Sequence, residues 1–526
     1  MNDAARPGAW APQPGAINPW IISIAVMAAT FMEVLDTTVV NVSLPHIAGT
    51  LSASNEEATW ALTSYLVANA IILPMTGWLA NFFGRKRLLI GSVIGFTVAS
   101  FFCGFAPSLP FLIFFRVVQG ATGGGLQPLS QAIMLEAFPP RKRGMAMAFW
   151  GLGIVVAPML GPVLGGWLTE NYSWRWVFYV NIPIGVLAIV MIQLFIFDPH
   201  YIRRGSGGID YWGMGLLVVG IGCLQVMLDK GQQEDWFAST LIRVLAFVSV
   251  AGLIGLVIRE LRAEHPIVDL RVFRNRTYAS GVFLITVLGF ILYGSTVLIP
   301  LLMQTLLGYS SFDAGLAMLP RGAASFVMMP IIGLMTRRVD ARKLLAVGLG
   351  VVATSLFMFS RLSLDAGYWD YFLPLIVQGA AMGLLFIPLT TITTDPIPME
   401  RMGNATSIFN LMRNIGGSIG IATVTTTLAR HQQIHTNILG SHVDPYNLAT
   451  QMQMQSLQNA MIASGSDPAT AARQAAGAVF GRVQQQAAML SYNDVFLMLA
   501  IMFAAMLVLV PLMRKPSHAS GAPAGH

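Results

Sequence analysis

The sequence predicts an all-α polytopic membrane protein, and three observations carry that reading. Of its 526 residues, 55% are hydrophobic and only 10% charged, with a mean hydropathy of +0.65. A soluble domain carries about 25% charge. Apolar stretches of the ~20 residues that a membrane helix needs recur about fourteen times. The Lys and Arg residues fall in short loops at alternate ends of those stretches, where they report topology.

In chain order the predicted spans are 20–44, 58–79, 88–107, 110–134, 144–168, 177–197, 211–229, 240–260, 278–303, 313–335, 343–361, 371–394, 403–429 and 492–513. Every even-numbered exit is basic. Arg85, Lys86 and Arg87 follow the second span; Arg141, Lys142 and Arg143 the fourth; Arg203 and Arg204 the sixth. Arg262, Arg271, Arg274 and Arg276 follow the eighth, Arg337, Arg338, Arg342 and Lys343 the tenth, Arg401 the twelfth, and Arg514 and Lys515 the last. The odd exits are poorer in positive charge, so both termini are expected in the cytoplasm. Residues 1–19 are a polar, Pro-rich cytoplasmic tail, and the first apolar run, too long for a signal peptide, is an uncleaved span. Residues 514–526 are a cytoplasmic tail, of which SHASGAPAGH over 517–526 reads as disordered.

The segment 430–491 stands apart. It is Gln- and Ala-rich, lies on the periplasmic side, and is too long for a simple connection. It is either a small helical hairpin above the membrane or a docking surface, and its composition favours ordered helices.

The formal net charge of +7 carries no nucleic-acid signature, because no basic stripe is interleaved with aromatics. Cys103 and Cys223 both lie in apolar runs and read as buried small hydrophobes. No Walker-type phosphate loop is present, which argues against direct ATP drive. His431 and His435 are at i,i+4, but no acidic residue completes an HExxH motif, so a surface pair is favoured over a metal site. No metal and no cofactor are expected.

Two acids sit inside the first span. Glu33 and Asp36 are at i and i+3, on one helix face. Counted from Trp20 at 1.5 Å per residue, Asp36 lies ~24 Å along a helix that crosses a ~30 Å core. A carboxylate at that depth is costly and by default marks an ion or substrate pathway. Arg116 lies ~9 Å in from Pro110 at 1.5 Å per residue, roughly the depth of Asp36. A guanidinium there requires a carboxylate, and Asp36 or Glu33 is the candidate. Gln119 follows one turn on, then Gly120, Gly123, Gly124 and Gly125.

Three further stretches are candidates for movement or lining. GWLANFFGRKR over 77–87 combines Gly77 and Gly84, suited to a tight helix–loop–helix turn, with the basic pair Arg85 and Lys86. A weaker echo, GLMTRRVDARK over 333–343, suggests two related six-helix halves. In the fifth span Gly153, Ala157, Gly161 and Gly165 recur every four residues, a close-packing face, while Pro158 and Pro162 bend the helix. In the thirteenth, Ser407, Asn410 and Asn414 form a polar stripe beside Arg413, which lines a cavity or bonds a neighbouring helix. WRWVFYVNIPIG over 174–185 reads as interfacial anchoring without chemistry.

Together these residues resemble the major facilitator superfamily, and more narrowly its fourteen-helix drug:proton antiporter branch of the EmrB/QacA type. The likeness rests on Gly77, Gly84, Arg85 and Lys86; on Arg116, Gln119 and Gly120; on Pro158, Gly161, Pro162, Gly165 and Gly166; and on LDTTVVNVSLP over 35–45. One departure is Asn81, where the family usually has Asp, so a charge relay through this position is not implied. The resemblance implies two six-helix bundles, 20–200 and 266–513, with two extra helices in 201–265, rocking about a central cavity. It also implies proton-driven export of varied amphipathic drugs, with the proton gradient as energy source. Its partners would be membrane lipids, a periplasmic membrane-fusion adaptor of the EmrA type, contacted by 430–491, and a TolC-like outer-membrane channel.

Within that frame Asp36, Glu33 and Arg116 are the expected proton-coupling residues. Gln119, Tyr293, Gln378, Asn410 and Arg413 are the expected substrate contacts. Gly77, Asn81, Gly84, Arg85, Lys86, Pro158, Gly161 and Pro162 are the expected gating positions. An exporter dedicated to one metabolite or siderophore is the alternative within transport. A membrane enzyme lacks a convergent catalytic set in this sequence, and a non-transporting scaffold predicts no proton flux.

Overall fold

A computed structural model describes residues 18–139, 142–198, 210–264, 266–336, 338–444 and 446–512. Arg141, Arg203, Arg204, Arg337, Arg514 and Lys515, together with both tails, fall outside the described residues. Among the described residues the fold is helical, with no strand.

The first six spans comprise α1 (Pro19–Thr50), the short α2 (Asn55–Ala58), α3 (Trp60–Phe83), α4 (Arg85–Phe105), α5 (Leu109–Gly123), α6 (Leu126–Ala137), α7 (Arg143–Asn171), α8 (Trp176–Tyr179) and α9 (Asn181–Phe195). Then come α10 (Tyr211–Lys230) and α11 (Thr240–Arg262). The second half comprises α12 (Arg276–Thr305), α13 (Ser311–Ala317), α14 (Leu319–Met335), α15 (Ala341–Phe359), α16 (Tyr368–Thr394), α17 (Met402–Ser441), α18 (Leu448–Ala463) and α19 (Pro468–Met506).

Thirteen of the described helical stretches are long and apolar enough to cross a membrane. The fourteenth is α17, which falls short by hydropathy because its buried face carries Thr406, Ser407, Asn410 and Arg413. It is nonetheless packed against α3, α6, α12 and α19. Polar side chains there meet protein rather than lipid, which a bilayer tolerates.

Three predicted spans are broken, the sixth of them at Val180 between α8 and α9. The fourth divides into α5 and α6 at Gly124–Gly125, where Gly124 lies against the backbone of α3 so closely that a Cβ would stand 2.6 Å from the Asn69 carbonyl oxygen. The tenth divides into α13 and α14 at Met318, just before Pro320, which can only enter a helix near its start.

The segment 430–491 is not a separate loop. α17 runs on for 40 residues and α19 for 39, each ~60 Å at 1.5 Å per residue and about twice a bilayer core. No proline interrupts α17 before its end at Ser441, and Asp467 caps α19 with Pro468 in its first turn. With α18 packed on α19, these extensions form a helical hairpin projecting from the face opposite the basic loops.

Small residues set the close contacts, as expected where lipid gives helices no hydrophobic reason to associate. α7 packs along α1, and a Cβ on Gly165 would stand 2.8 Å from the Val39 carbonyl oxygen. α10 inserts between α3 and α17, and α11 packs on α10. The outer face of α11, with Val244, Phe247, Val250 and Ile254 exposed, is a lipid-facing surface.

Candidate functional site

The fixed rise of an α-helix brings the acid of α1 and the arginine of α5 to one level. Arg116 Nη1 donates to Asp36 Oδ2 at 2.5 Å, and both side chains are fully buried. The pair sits in a polar network. Gln119 Nε2 donates to Asp36 Oδ1 at 3.0 Å, and Asn181 Nδ2 donates to the same oxygen at 2.7 Å. Arg116 Nε donates to the Ala61 carbonyl at 2.8 Å, and Nη1 also reaches Gln119 Oε1 at 2.8 Å. Its guanidinium carbon lies 4.2 Å from the Tyr65 ring centre, and Ser100 anchors Asn181 from α4. Charge-assisted bonds of this kind offset the penalty of burying the ions, and of the pair's polar atoms only Arg116 Nη2 is without a partner among the described residues.

Glu33, one turn away, has different partners. Asn69 Nδ2 donates to its Oε1 at 3.0 Å, and Gln127 Nε2 donates to its Oε2 at 2.6 Å. The oxygen of Gln127 accepts from Arg413 Nη2 of α17 at 2.5 Å. A continuous chain, Glu33–Gln127–Arg413, therefore joins α1 and α6 of the first half to α17 of the second.

That chain lies in a wider seam. Asn410 Nδ2 donates to Gln131 Oε1 at 2.6 Å, and Thr406 Oγ1 donates to the Pro128 carbonyl at 3.1 Å. Gly77 of α3 meets α17 so tightly that a Cβ would stand 2.7 Å from Asn404 Cα. A second seam runs between α7 and α13–α14. A Cβ on Gly315 would meet Pro162 at 3.0 Å, and a Cβ on Gly333 would meet Ala148 at 2.9 Å.

The remaining anticipated residues divide clearly. Gly84 has φ +87° and joins α3 directly to α4, the tight turn its position requires. Arg85 is ion-paired with Glu136 of α6. The Lys86 ammonium donates to the Gln193 carbonyl at 2.7 Å, in the last turn of α9, where a cation complements the helix dipole. Both basic contacts thus fall within the first six spans. Asn81 is exposed. Pro158 and Pro162 lie inside an α7 that continues through both. Gln119 binds the Asp36–Arg116 pair, Asn410 bonds α6, and Tyr293 is half-buried against Gly417. Gln378 is fully buried, and neither of its amide atoms has a partner among the described residues.

Several contributors escaped the sequence reading, Asn69 of α3 among them. Asn181 gives the WRWVFYVNIPIG stretch a polar role that anchoring did not anticipate, and its signal is an amide inside an apolar run. Gln127 and Gln131, at i,i+4 on α6, mark a polar face directed at α17. Arg321 of α14 is buried, donates to Thr296 Oγ1 at 3.0 Å, and has no acidic partner among the described residues.

Comparison with known proteins agrees with this architecture. Residues 26–421 match the family model described as the Major Facilitator Superfamily. The chain is 41% identical over 499 residues to the multidrug export protein EmrB of Haemophilus influenzae, covering 94% of this chain and 96% of that protein. It is 38% identical over 510 residues to EmrB of Escherichia coli K12, covering 96% and 97%. It is 36% identical over 515 residues to the fatty acid resistance protein FarB of Neisseria gonorrhoeae, covering 97% and 99%. Among solved structures it is similar in fold to the human organic anion transporter MFSD10, with a TM-score of 0.58 at 13% identity, covering 93% of this chain and all of that one. Helices that bury an ion pair among themselves while turning apolar faces to lipid, and a family match over most of the length, leave one assignment: the chain belongs to the major facilitator superfamily and is a multi-pass transporter of the bacterial inner membrane.

Proposed function

We propose that this transporter exports amphipathic drugs in exchange for protons, by alternating access between bundles 20–200 and 266–513, as the inner-membrane part of a tripartite pump. The observation that carries the reading is the Glu33–Gln127–Arg413 chain, set one turn from the Asp36–Arg116 pair. Names of relatives across nearly the full length, multidrug export proteins among them, support the substrate class.

The chemistry follows from donor and acceptor counts. As a carboxylate, Glu33 accepts from two amides. A proton on either oxygen removes the negative charge and adds an O–H to be placed beside an N–H, so the bond from one amide weakens. If that amide is Gln127, its hold on Arg413 loosens and the seam between the halves is freed to part. Asp36 is the second proton-coupling acid, and while ionised it holds α1 to α5 through Arg116. Drug entry and proton release then oppose one another through the same side chains, which is what reciprocal coupling requires.

A second reading, export of amphipathic acids, is favoured by Arg321, a buried cation without a carboxylate among the described residues, and by the similarity to FarB. One experiment addresses both. Inverted vesicles carrying wild type, Glu33→Gln, Asp36→Asn or Arg321→Leu are energised with a pH gradient and given cationic dyes and fatty acids. Proton-coupled export predicts that Glu33→Gln and Asp36→Asn, inserted at wild-type levels, lose gradient-driven uptake of every substrate. If both retain it, the coupling assignment is wrong. Selective loss of fatty-acid uptake in Arg321→Leu would establish the acid-binding role, and equal loss for dyes and acids would remove it. The periplasmic adaptor and outer-membrane channel are proposed from the same relatives, with the projecting hairpin as the adaptor contact.

A further inference from the structure

We propose that His431, His435 and Asp494 form a binding site for a divalent transition-metal ion, of which Zn²⁺ is the best match. The site would pin α17 to α19 at the root of the projecting hairpin. The two histidines stand one turn apart on α17 and face α19. Asp494 Oδ2 lies 2.9 Å from His431 Nδ1 and 2.7 Å from His435 Nε2. The three potential ligand atoms all lie within 4.8 Å of one another. They come from helices that pack along each other, with the acid 63 and 59 positions on from the two histidines.

Coordination chemistry selects the ion. Two imidazoles and a carboxylate suit zinc and its borderline neighbours, and do not suit calcium or magnesium, which require oxygen ligands. Zn²⁺ bonds nitrogen and carboxylate oxygen at about 2.0–2.2 Å, so tetrahedral ligands stand roughly 3.3–3.5 Å apart. Drawing each imidazole back from Asp494 by about half an ångström would make room for the ion. The three side chains are 39%, 23% and 41% exposed, which leaves a coordination position open to water. The site is also braced. Asn493, next to Asp494, donates from Nδ2 to the Leu362 carbonyl at 3.0 Å, fixing this part of α19 against the loop between α15 and α16.

A bound ion would hold the hairpin at a fixed angle to the second bundle. Without it the polar link between α17 and α19 at this level consists of contacts to a single carboxylate oxygen, added to the packing of the two helices, and it is lost when Asp494 is replaced. The site lies apart from Glu33, Asp36 and Arg116, so it stands or falls independently of the proton-coupling reading.

The test uses the full-length protein in detergent, purified through a tag without histidines and stripped with EDTA. ZnCl₂ is titrated while the thermal midpoint and the metal retained after gel filtration are recorded. Co²⁺ is added separately, and its visible absorption reports nitrogen–oxygen coordination. Zn²⁺ is expected to bind one per chain and raise the midpoint, EDTA to reverse the rise, and Mg²⁺ to have no effect. His435→Ala and Asp494→Asn, each monodisperse, should weaken Zn²⁺ binding by at least about tenfold and abolish the Co²⁺ spectrum. His442→Ala should leave both unchanged, because that imidazole bonds its own helix at the Ile438 carbonyl. Substoichiometric or unsaturable Zn²⁺ binding would overturn the proposal. So would affinity unaltered in both His435→Ala and Asp494→Asn.

Discussion

The two acids of α1 differ in what surrounds them, and the difference is testable at the level of single side chains. Asp36 faces a guanidinium at 2.5 Å with both partners fully buried, whereas Glu33 faces two neutral amides. Removing one member of a buried ion pair leaves an uncompensated charge, at a cost of about 3–5 kcal/mol. Arg116→Leu should therefore lower the thermal midpoint in detergent sharply. Adding Asp36→Asn to it should restore part of the loss, because the second change removes the stranded carboxylate. A double-mutant cycle reads this as strong non-additivity, and additive effects would show that the two side chains do not act as a pair. This pairing was legible in the sequence because a helix rises by a fixed amount per residue, so depth can be counted from each end. Asn181 and Gln127 were not legible. Whether an amide in an apolar run meets Asp36 or lipid depends on helix rotation, which spacing does not fix. Asp494 was hidden for a different reason: its level against His431 depends on how far α17 runs past the bilayer, so depth could not be counted from a membrane edge as it was for Asp36 and Arg116.

At the scale of the element, hydropathy located the fourteen spans because a bilayer imposes a length on every crossing helix. It missed what the bilayer does not govern. The extensions of α17 and α19 are built from polar helix formers in water, so hydropathy marks where the membrane ends but not that the helix continues past that level. The break at Gly124–Gly125 was hidden as well, because its cause is the backbone of α3 rather than the local sequence. The small-residue face of α7 was visible in the spacing of its glycines, and it yields a like-for-like comparison. At Gly165 a Cβ would stand 2.8 Å from the Val39 carbonyl oxygen and 3.2 Å from its Cα, both backbone atoms that cannot rotate aside. At Gly91 of α4 a Cβ would meet nothing within 4 Å. Gly165→Ala should therefore destabilise by about 1–3 kcal/mol, the usual cost of overpacking. Gly91→Ala should be neutral or gain up to about 1 kcal/mol from helix propensity. Thermal midpoints of the two variants decide the matter, and equal midpoints would show that α1 and α7 yield to added volume.

For the whole molecule, the proposed tripartite assembly calls for a fixed surface outside the bilayer. α17 and α19 extend beyond the length of a bilayer core as continuous helices, where a disordered loop would give a partner no such surface. The hairpin exposes Ile434, Ile438, Met452 and Phe480, and a cleft of about 320 Å³ lies between Leu439 and Val443 of its first limb, Ala449 and Gln453 of α18, and Val479 and Val483 of α19. Apolar groups exposed on an extramembranous helical arm are suited to a helical partner laid alongside, in the manner of helix-in-groove recognition. The proposed adaptor contact can be tested without disturbing the bundles. Replacing 438–484 by a short Gly/Ser linker removes α18 and the outer parts of α17 and α19 while keeping His431, His435 and Asp494 in place. The shortened chain should insert and remain monodisperse, because nearly all of the buried core lies below the cut. In vesicles without an adaptor it should transport as the full chain does, while capture of a co-expressed periplasmic adaptor should fall at least tenfold. Capture at the full-length level would place the adaptor elsewhere, and loss of vesicle transport would show that the hairpin contributes to the exchange cycle itself.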